Sequence, residues 1–111
     1  MENEMFEKKY YFVYIITNRY KTVFYVGVTN NIKRRLLEHY DETVKGFSTR
    51  YKCKYLVHYE KFTDILIAIS REKEIKKWGK RKKTNLIEKQ NPEWKFLNEH
   101  VDRVDDEYLW F

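Results

Sequence analysis

Near its start, the chain carries a pattern of apolar residues that predicts a β-hairpin. Residues 10–17 are an unbroken run dominated by aromatic and β-branched side chains, which is typical of a strand buried on both faces. Residues 18–21 are polar and predict a turn, after which residues 23–26 repeat the strand signal and stop at a glycine. We expect the two strands to pair antiparallel, which places Tyr14 and Tyr25 on neighbouring strands.

A helix is predicted after the hairpin, over residues 31–40. Polar side chains at residues 29–31 can cap its first amides. At 100° per residue, its apolar positions share an arc of about 140°, which we expect to be the buried stripe. Arg35 and His39 fall beside one edge of that arc, four residues apart. The predicted stripe consists of Ile32, Leu36, Leu37 and Tyr40.

The middle of the chain gives loop, strand and helix signals in turn. Residues 41–54 lack periodicity and contain Asp, Gly, Ser and Thr, which favours a mobile surface loop. Residues 55–59 predict a third strand, and a long helix is expected over about residues 63–77. A further helix over residues 82–89 ends before an Asn-Pro pair, because proline blocks its continuation. We expect residues 93–97 to fold back on the core through their aromatic side chains.

One acidic residue stands in an apolar stripe. On the long helix, Glu72 lies among the positions that we expect to face the core. An unpaired carboxylate there would cost on the order of several kcal/mol, so Glu72 needs a cation or a raised pKa. An ion pair with Arg35 or another base and a Mg²⁺ site are both open at this point. The other members of the stripe are Ile65, Ala68, Ile69, Ile75 and Gly79.

Five residues of the first three elements are expected to converge on one hollow. These are two phenols, an arginine–histidine pair, and a glycine at which the backbone can approach another group closely. Such a compact, electropositive hollow suits a phosphate. Each residue also has a plain structural interpretation, because strands are rich in tyrosine and a helix histidine can be satisfied within a core. The five are Tyr14, Tyr25, Gly27, Arg35 and His39.

The charge of the chain is uneven. The 111 residues carry a formal net charge of +6, but residues 1–98 hold 22 Lys and Arg against 12 Asp and Glu. Residues 99–111 hold one Arg against five acids. We therefore expect one folded domain over residues 1–98 and an acidic, flexible tail over residues 99–111. So basic a body attracts polyanions, nucleic acid more commonly than a membrane, although a basic surface kept for solubility is the alternative.

Two basic groups are the predicted contacts to a nucleic-acid backbone. One lies in the loop at residues 41–54, and the other belongs to the dense basic run at residues 71–83. A solvated helix face is the ordinary interpretation of such a run, but its positive charges would repel one another unless an anion were often present. The predicted contacts are Lys45, Arg50, Lys52, Lys54, Lys76, Lys77, Lys80 and Arg81.

Cysteine usage and hydropathy indicate the compartment. Cys53 is the only cysteine, which excludes an intramolecular disulfide and the usual four-ligand zinc cluster. The first residues have no apolar core for a signal peptide, and no apolar run reaches the length of a membrane span. We expect a cytoplasmic protein.

Over residues 10–97, these features resemble the GIY-YIG nucleases. The first motif would be residues 12–14, in which Phe12 replaces the glycine of the family name and Val13 its isoleucine, and the second would be residues 25–27. The small stand-alone bacterial members, which are similar to the N-terminal nuclease domain of an excinuclease component, are closest in style. These members have segments similar in sequence to residues 71–78 (REKEIKKW) and 91–94 (NPEW) of this chain. The remaining matching positions are Arg35, His39, Glu72 and Asn91.

The resemblance implies an α+β fold, a small three-stranded antiparallel sheet flanked by helices. It also implies an endonuclease that hydrolyses DNA phosphodiester bonds with Mg²⁺ or Mn²⁺ as cofactor. Tyr14 would be the base or would orient the attacking water, which requires a pKa well below the usual value of about 10. His39 would share or relay the proton, and Arg35 would grip the scissile phosphate. Tyr25 would support Tyr14, Glu72 would hold the metal, and Gly27 and Asn91 would be supporting residues.

Two other functions compete with this one. A domain of the same fold could bind nucleic acid without cutting it, although an acid facing a phosphate would then be a disadvantage. A sheet could also bind single-stranded RNA by stacking bases on Tyr11 and Tyr25. For the nuclease, the expected partner is DNA, with branched or damaged DNA as candidates. One site per chain favours nicking by a monomer, and double-strand cleavage would need a dimer or two successive events.

Overall fold

The computed structural model describes residues 9–43 and 45–102. The chain forms β1 and β2, then the helices α1 and α2, then β3, and finally the helices α3 and α4 and a short 3₁₀ helix. Their bounds are Tyr11–Thr17 (β1), Phe24–Thr29 (β2), Ile32–Tyr40 (α1), Phe47–Arg50 (α2), Tyr55–Phe62 (β3), Ile65–Lys76 (α3), Lys80–Gln90 (α4) and Asn98–Asp102 (3₁₀).

A three-stranded antiparallel sheet in the order β2-β1-β3 forms the centre of the fold. The β1–β2 hairpin confirms the predicted pairing. Its turn is closed by Asn18, whose side-chain oxygen accepts a hydrogen bond of 2.8 Å from the amide of Thr22. The prediction that the second strand ends at Gly27 was wrong, because the strand continues to Thr29. With its flanking helices, the sheet has the α+β architecture expected from the sequence.

Both faces of the sheet are covered, as the apolar run of the first strand predicts. On one face, Phe12, Tyr14 and Ile16 pack with residues of α1 and with Val101. On the other face, Val13 and Ile15 pack with residues of α3 and α4. Alternate residues of β1 thus belong to two separate buried clusters.

The buried face of α1 differs from the predicted stripe. Ile32 and Leu36 are buried as expected, but Leu37 and Tyr40 are exposed and His39 takes the third buried position. A histidine can be buried there because both of its ring nitrogens have hydrogen-bond partners, described below. The capping prediction was correct, since the Asn31 side chain accepts from the third amide that follows it.

The segment predicted as a mobile loop includes the short helix α2 and two buried side chains, Ser48 and Cys53. Gly46 precedes the helix with a φ of 115°, a conformation that favours glycine. The amide of Cys53 donates to the carbonyl of Ser48 at 2.8 Å, which closes the segment on itself. The prediction of an irregular loop was therefore wrong in this part, because periodicity cannot reveal a single helical turn.

Helix α3 begins at the N-cap Asp64, as its sequence indicates. Of the predicted stripe, Ala68, Glu72 and Ile75 are buried, whereas Ile65 and Gly79 are exposed. The first turn of the helix, residues 65–67, remains open to solvent, so the contact with the sheet starts one turn later than expected.

The chain after α4 folds back on the sheet. Trp94 stacks on Phe24 at 5.9 Å between ring centroids, and Phe96 stacks on Tyr55 at 4.4 Å. Val101 in the 3₁₀ helix is buried, so the packed part extends beyond residue 98. Most of the predicted acidic tail, residues 103–111, lies outside the described residues. Within the described part of the chain, no helix has the length and apolar character needed to cross a membrane.

Candidate active site

Gly27 is the point at which the backbone of β2 passes the ring of Tyr14. The two residues are direct partners in the β1–β2 pairing, so their side-chain directions lie on the same face. A Cβ atom at Gly27 would lie 2.4 Å from both Cζ and the hydroxyl oxygen of Tyr14. Only glycine leaves room for the phenol in this position, which gives a physical reason for the glycine in the second motif.

The hydroxyl of Tyr14 meets His39 of α1 inside the protein. Its oxygen lies 2.8 Å from Nε2 of His39. The other ring nitrogen, Nδ1, lies 3.0 Å from Oγ of Ser48 in α2. All three side chains are buried. They form one continuous set of hydrogen bonds between β1, α1 and α2, which we call the Tyr14–His39–Ser48 row.

The row holds His39 in its neutral form. Burial, and after it the charge of Arg35, lowers the pKa of His39 to about 4, against an opposing effect of Glu38. A neutral imidazole has one donor and one acceptor nitrogen, which matches one phenol on one side and one hydroxyl on the other. His39 can therefore accept the proton of Tyr14 only while its other nitrogen donates to Ser48.

Tyr25 stands beside the row, as the hairpin predicts. Its ring centroid lies 5.3 Å from that of His39 and 6.4 Å from that of Tyr14. Tyr25 pairs with Ile16 in the register, two residues along from the Tyr14–Gly27 pair, which puts both phenols on the same face. On its other side the ring stacks on Phe47 of α2.

Arg35 and Tyr14 interact directly, but Tyr14 is not the acidic phenol expected from the sequence. Burial and the neighbouring Tyr25 raise the pKa of Tyr14 above its ordinary value, and Arg35 offsets only part of this by hydrogen bonding and by its charge. The guanidinium also contacts Glu38, with 3.1 Å between Nη1 and Oε1. In the protein alone the expectation of a lowered Tyr14 pKa is therefore wrong, because the site is too dry to favour a phenolate.

Glu72 of α3 lies within electrostatic range of Tyr14. The residue is only 9% exposed and its carboxylate pairs with Lys76 at 2.7 Å, so the required cation comes from one turn along the same helix and not from Arg35. Its charge contributes to raising the pKa of Tyr14, which shows that the two groups are close enough to interact.

The donor set is small for a metal site. No group of three or more His, Cys, Asp and Glu that could hold a metal occurs within residues 9–43 and 45–102. A single carboxylate nevertheless fits a Mg²⁺ ion that keeps most of its waters and takes phosphate oxygens as further ligands. Glu72 would be the protein ligand of such an ion.

Asn91 lies at the end of α4, where it supports the backbone. Its side-chain nitrogen donates to the carbonyls of Val57 and Lys95 at 3.1 and 2.9 Å. Its side-chain oxygen accepts from the amide of Lys95 at 2.9 Å. Asn91 thus joins β3 to the segment after α4, which is a structural position.

The first predicted basic group surrounds α2. Lys45, Arg50 and Lys52 are exposed around this helix, whose Ser48 belongs to the row. Lys52 and Lys54 also share one counter-ion, since both ammonium groups lie within 3.0 Å of the Glu42 carboxylate. This group therefore lies next to the candidate site.

The second basic group lies on the last turn of α3 and the first turn of α4. Lys77, Lys80 and Arg81 are exposed there, and Lys80 donates to the carbonyl of Thr22 at 2.9 Å. The basic run is partly neutralised, because the acids that pair with it lie on β3 and α3. Arg71 makes two hydrogen bonds to Glu60, of 2.8 and 3.1 Å, and one to Glu74, while Lys76 pairs with Glu72.

Ser48 is the member of the site that the sequence does not reveal. It belongs to a segment without periodicity, and a lone serine in such a segment has no distinguishing pattern. The useful signal would have been indirect, because a buried histidine needs partners for both nitrogens. Gly46, two residues earlier, marks the turn that brings Ser48 to His39.

The open stacking sheet considered as an alternative does not match this arrangement. Tyr25 packs against one buried cluster and Tyr11 against the other, so the two rings lie on opposite faces of the sheet. Both faces are covered, and a strand of RNA could not stack on these two rings together.

Comparison with known proteins agrees with the resemblance found in the sequence. The family model of the GIY-YIG catalytic domain matches residues 10–85. A UPF0213 protein of Haloquadratum walsbyi is 34% identical over 79 residues, which cover 71% of this chain and 88% of the relative. A UPF0213 protein of Syntrophus aciditrophicus is 39% identical over 90 residues, with 74% and 93% covered. No solved structure is significantly similar to the chain. The matched domain covers most of the chain and includes Tyr14, Gly27, His39 and Glu72, and the protein belongs to the GIY-YIG nuclease family.

Proposed function

We propose that this protein is a divalent-metal-dependent endonuclease that nicks DNA. The observation that carries the proposal is the Tyr14–His39–Ser48 row with Arg35 beside it and Glu72 within electrostatic reach. Hydrolysis of a phosphodiester needs a proton acceptor for the attacking water and positive charge for the phosphate. This arrangement contains candidates for both.

Tyr14 takes the proton of the attacking water and passes its own proton to His39. The direction follows from Arg35, which donates toward the phenol oxygen and leaves the phenol proton to point at Nε2 of His39. When the Ser48 hydroxyl accepts from Nδ1, the imidazole is in the tautomer whose Nε2 is free to accept. Both titrating groups are neutral in the resting protein, and the transfer leaves Tyr14 neutral and His39 positively charged, so the negative charge of the bound phosphate would favour it.

Arg35 would bind the phosphate of the substrate, and Glu72 would bind the metal that neutralises its charge. The planar guanidinium of Arg35 can hold two phosphate oxygens at once, which a lysine cannot do. Glu72 would hold Mg²⁺ or Mn²⁺, which supplies positive charge to the phosphate and to the leaving 3′ oxygen when bound. Lys76, now paired with Glu72 at 2.7 Å, would have to release the carboxylate as the metal binds.

The basic residues around α2 and at the α3–α4 junction would contact the DNA backbone. They carry charge without the fixed pairing geometry of Arg35, which suits contacts that position a strand without reading its sequence. A chain with one such site cuts one strand, so we propose nicking by a monomer. Branched and damaged DNA are the substrates to test beside plain duplex.

The experiment is the conversion of supercoiled plasmid to nicked and linear forms at low salt with Mg²⁺, Mn²⁺ or EDTA. We expect metal-dependent nicking by the wild type and its loss in Glu72→Gln. The matched control is Glu74→Gln, because Glu74 lies two residues away on α3, is exposed, and pairs with Arg71. This control should nick at the rate of the wild type.

The other candidate function is a binding domain of the same fold. If the wild type and Glu72→Gln both retard DNA and neither cuts it with any metal, this second function replaces the proposed one. If Glu74→Gln loses activity as completely as Glu72→Gln, the effect is not specific to the buried carboxylate, and the metal-binding role of Glu72 is refuted.

A further inference from the structure

A stack of three aromatic rings leads from the candidate site to the surface. Tyr25 stacks on Phe47 with 6.4 Å between centroids and 26° between planes, and Phe47 contacts Tyr51 at 4.6 Å. We call these three residues the ring stack. Phe47 is 48% exposed and Tyr51 is 42% exposed, so the outer part of the stack is open to solvent.

The ring stack is held in place by the site itself. Phe47 precedes Ser48, whose side chain is buried and lies 3.0 Å from His39. The amide of Tyr51 donates to the carbonyl of Phe47 at 3.0 Å, and that of Cys53 donates to the carbonyl of Ser48 at 2.8 Å. The Ser48–His39 contact joins α2 to the site, and the two backbone hydrogen bonds close the segment on itself, so the rings lie beside the proposed scissile phosphate.

The surroundings of the ring stack are positively charged. Residues 45–52 contain Lys45, Arg50 and Lys52 and no acidic residue, although Lys52 pairs with Glu42 just outside this segment. The guanidinium carbon of Arg50 lies 5.6 Å from the ring centre of Tyr51. Exposed aromatic faces with interleaved cations are the chemistry that binds single-stranded nucleic acid, because the cations follow the backbone while the rings stack on bases.

We propose that the ring stack binds one or more unpaired bases of the DNA strand whose phosphate occupies the site at Tyr14 and Arg35. This inference rests on the proposed function and gives it a substrate class: DNA with unpaired nucleotides next to the bond that is cut. A base inside a duplex is covered on both sides by its neighbours, so it can contact Phe47 or Tyr51 only after leaving the helix, which costs a few kcal/mol. Flaps, gaps and single strands avoid that cost.

Binding without cleavage is the first test. The dissociation constants of the full chain for a fluorescent single-stranded oligonucleotide and for the matching duplex are measured in EDTA by anisotropy. We expect Phe47→Leu and Tyr51→Leu to weaken binding of the single strand about tenfold and to change duplex binding less than about twofold. Phe47→Trp keeps an aromatic face and should retain the affinity of the wild type. The Leu variants keep apolar bulk, which separates stacking from packing.

The matched control is Phe96→Leu. Phe96 is 40% exposed and also stacks on a tyrosine, but it lies after α4 and has no place in the candidate site. We expect this variant to bind both oligonucleotides like the wild type. Equal losses for Phe47→Leu and Phe96→Leu would overturn the proposal, because the preference would then be a general effect of surface rings. Equal weakening of single-strand and duplex binding by Phe47→Leu would overturn it as well.

Cleavage of a gapped duplex distinguishes this inference from the proposed function. If the wild type cuts beside the gap faster than within paired DNA and Phe47→Leu removes only that difference, both are supported. If no substrate is cut but the preference for single strands in EDTA depends on Phe47, the nuclease proposal is refuted and base binding by the ring stack is supported. If paired and gapped DNA are bound and cut equally well by the wild type, the ring stack has no role in substrate choice and the inference is refuted.

Discussion

Substitution of Gly27 by alanine tests the arrangement of the site with a single methyl group. The new Cβ would lie 2.4 Å from Cζ and from the hydroxyl oxygen of Tyr14, whereas ordinary contact begins near 3.4 Å. The ring therefore has to move by about 1 Å, and it cannot bend away as a flexible chain could. The 2.8 Å hydrogen bond to His39 would be stretched out of bonding range.

This displacement should lower both the stability of the protein and the rate of nicking. Overpacking of this kind costs about 1–3 kcal/mol in free energy of unfolding. A displacement of about 1 Å in a reacting group costs about 100-fold in rate. We therefore expect Gly27→Ala to unfold at lower urea concentration and to nick plasmid about 100-fold more slowly than the wild type.

Gly79→Ala is the matched control. A Cβ at Gly79 meets nothing within 4 Å, and Gly79 has an ordinary negative φ of −71°, so this variant should nick like the wild type. Because Gly79 is the N-cap of α4, where alanine is less favourable than glycine, its stability should fall by no more than about 1 kcal/mol. The reasoning is refuted if Gly27→Ala keeps wild-type nicking and stability, because Tyr14 would then not occupy the space over Gly27. Loss of stability with normal nicking would refute only the role assigned to Tyr14.

Three other predictions concern the neighbours of Tyr14. Ser48→Ala leaves Nδ1 of His39 without its buried partner, so we expect a loss of about 1–3 kcal/mol in urea denaturation and slower nicking; unchanged stability would show that the hydrogen bond is absent. Burial lowers the pKa of His39 to about 4. As the pH falls from 6.5 to 4, the unfolded chain therefore binds a proton at His39 and the folded protein does not. Over that pH range the free energy of unfolding of the wild type should fall by about 3 kcal/mol relative to that of His39→Phe. If the free energies of unfolding of the two proteins change with pH in parallel, this pKa is contradicted. Arg35→Lys keeps the charge but not the planar fork, so nicking should fall at least about tenfold while DNA binding in EDTA stays within about threefold.

The sequence was most informative where local geometry decides the structure. The run of residues 10–17 had to be buried on both faces, and Asn31 and Asp64 had to cap the helices that follow them. Gly27 was a useful signal for a related reason, since a glycine within a strand marks a close approach by another group. In each case a few neighbouring residues contain the physical cause.

The sequence was least informative where a residue distant in the chain determines which side chain is buried. The periodicity of α1 predicts burial of Leu37 and Tyr40, but His39 is buried instead because Tyr14 and Ser48 satisfy its nitrogens. One partner is 25 residues away in the chain, and no helical pattern contains that information. The short helix α2 was missed for the same reason, because its position depends on the contact of Ser48 with His39 and not on its own four residues.

Burial of the Tyr14–His39–Ser48 row affects both the stability of the site and its proposed reaction. Neutral groups that satisfy one another can be buried at little cost, whereas a buried phenolate or imidazolium would need a counter-ion. Burial accordingly raises the pKa of Tyr14 and lowers that of His39, which keeps both groups neutral. The lowered pKa of His39 opposes proton transfer from Tyr14 until negative charge arrives near the row. In the proposed reaction that charge comes with the phosphate of the substrate, so the protein would hold an assembled site in which His39 becomes basic enough to accept a proton only when DNA is bound.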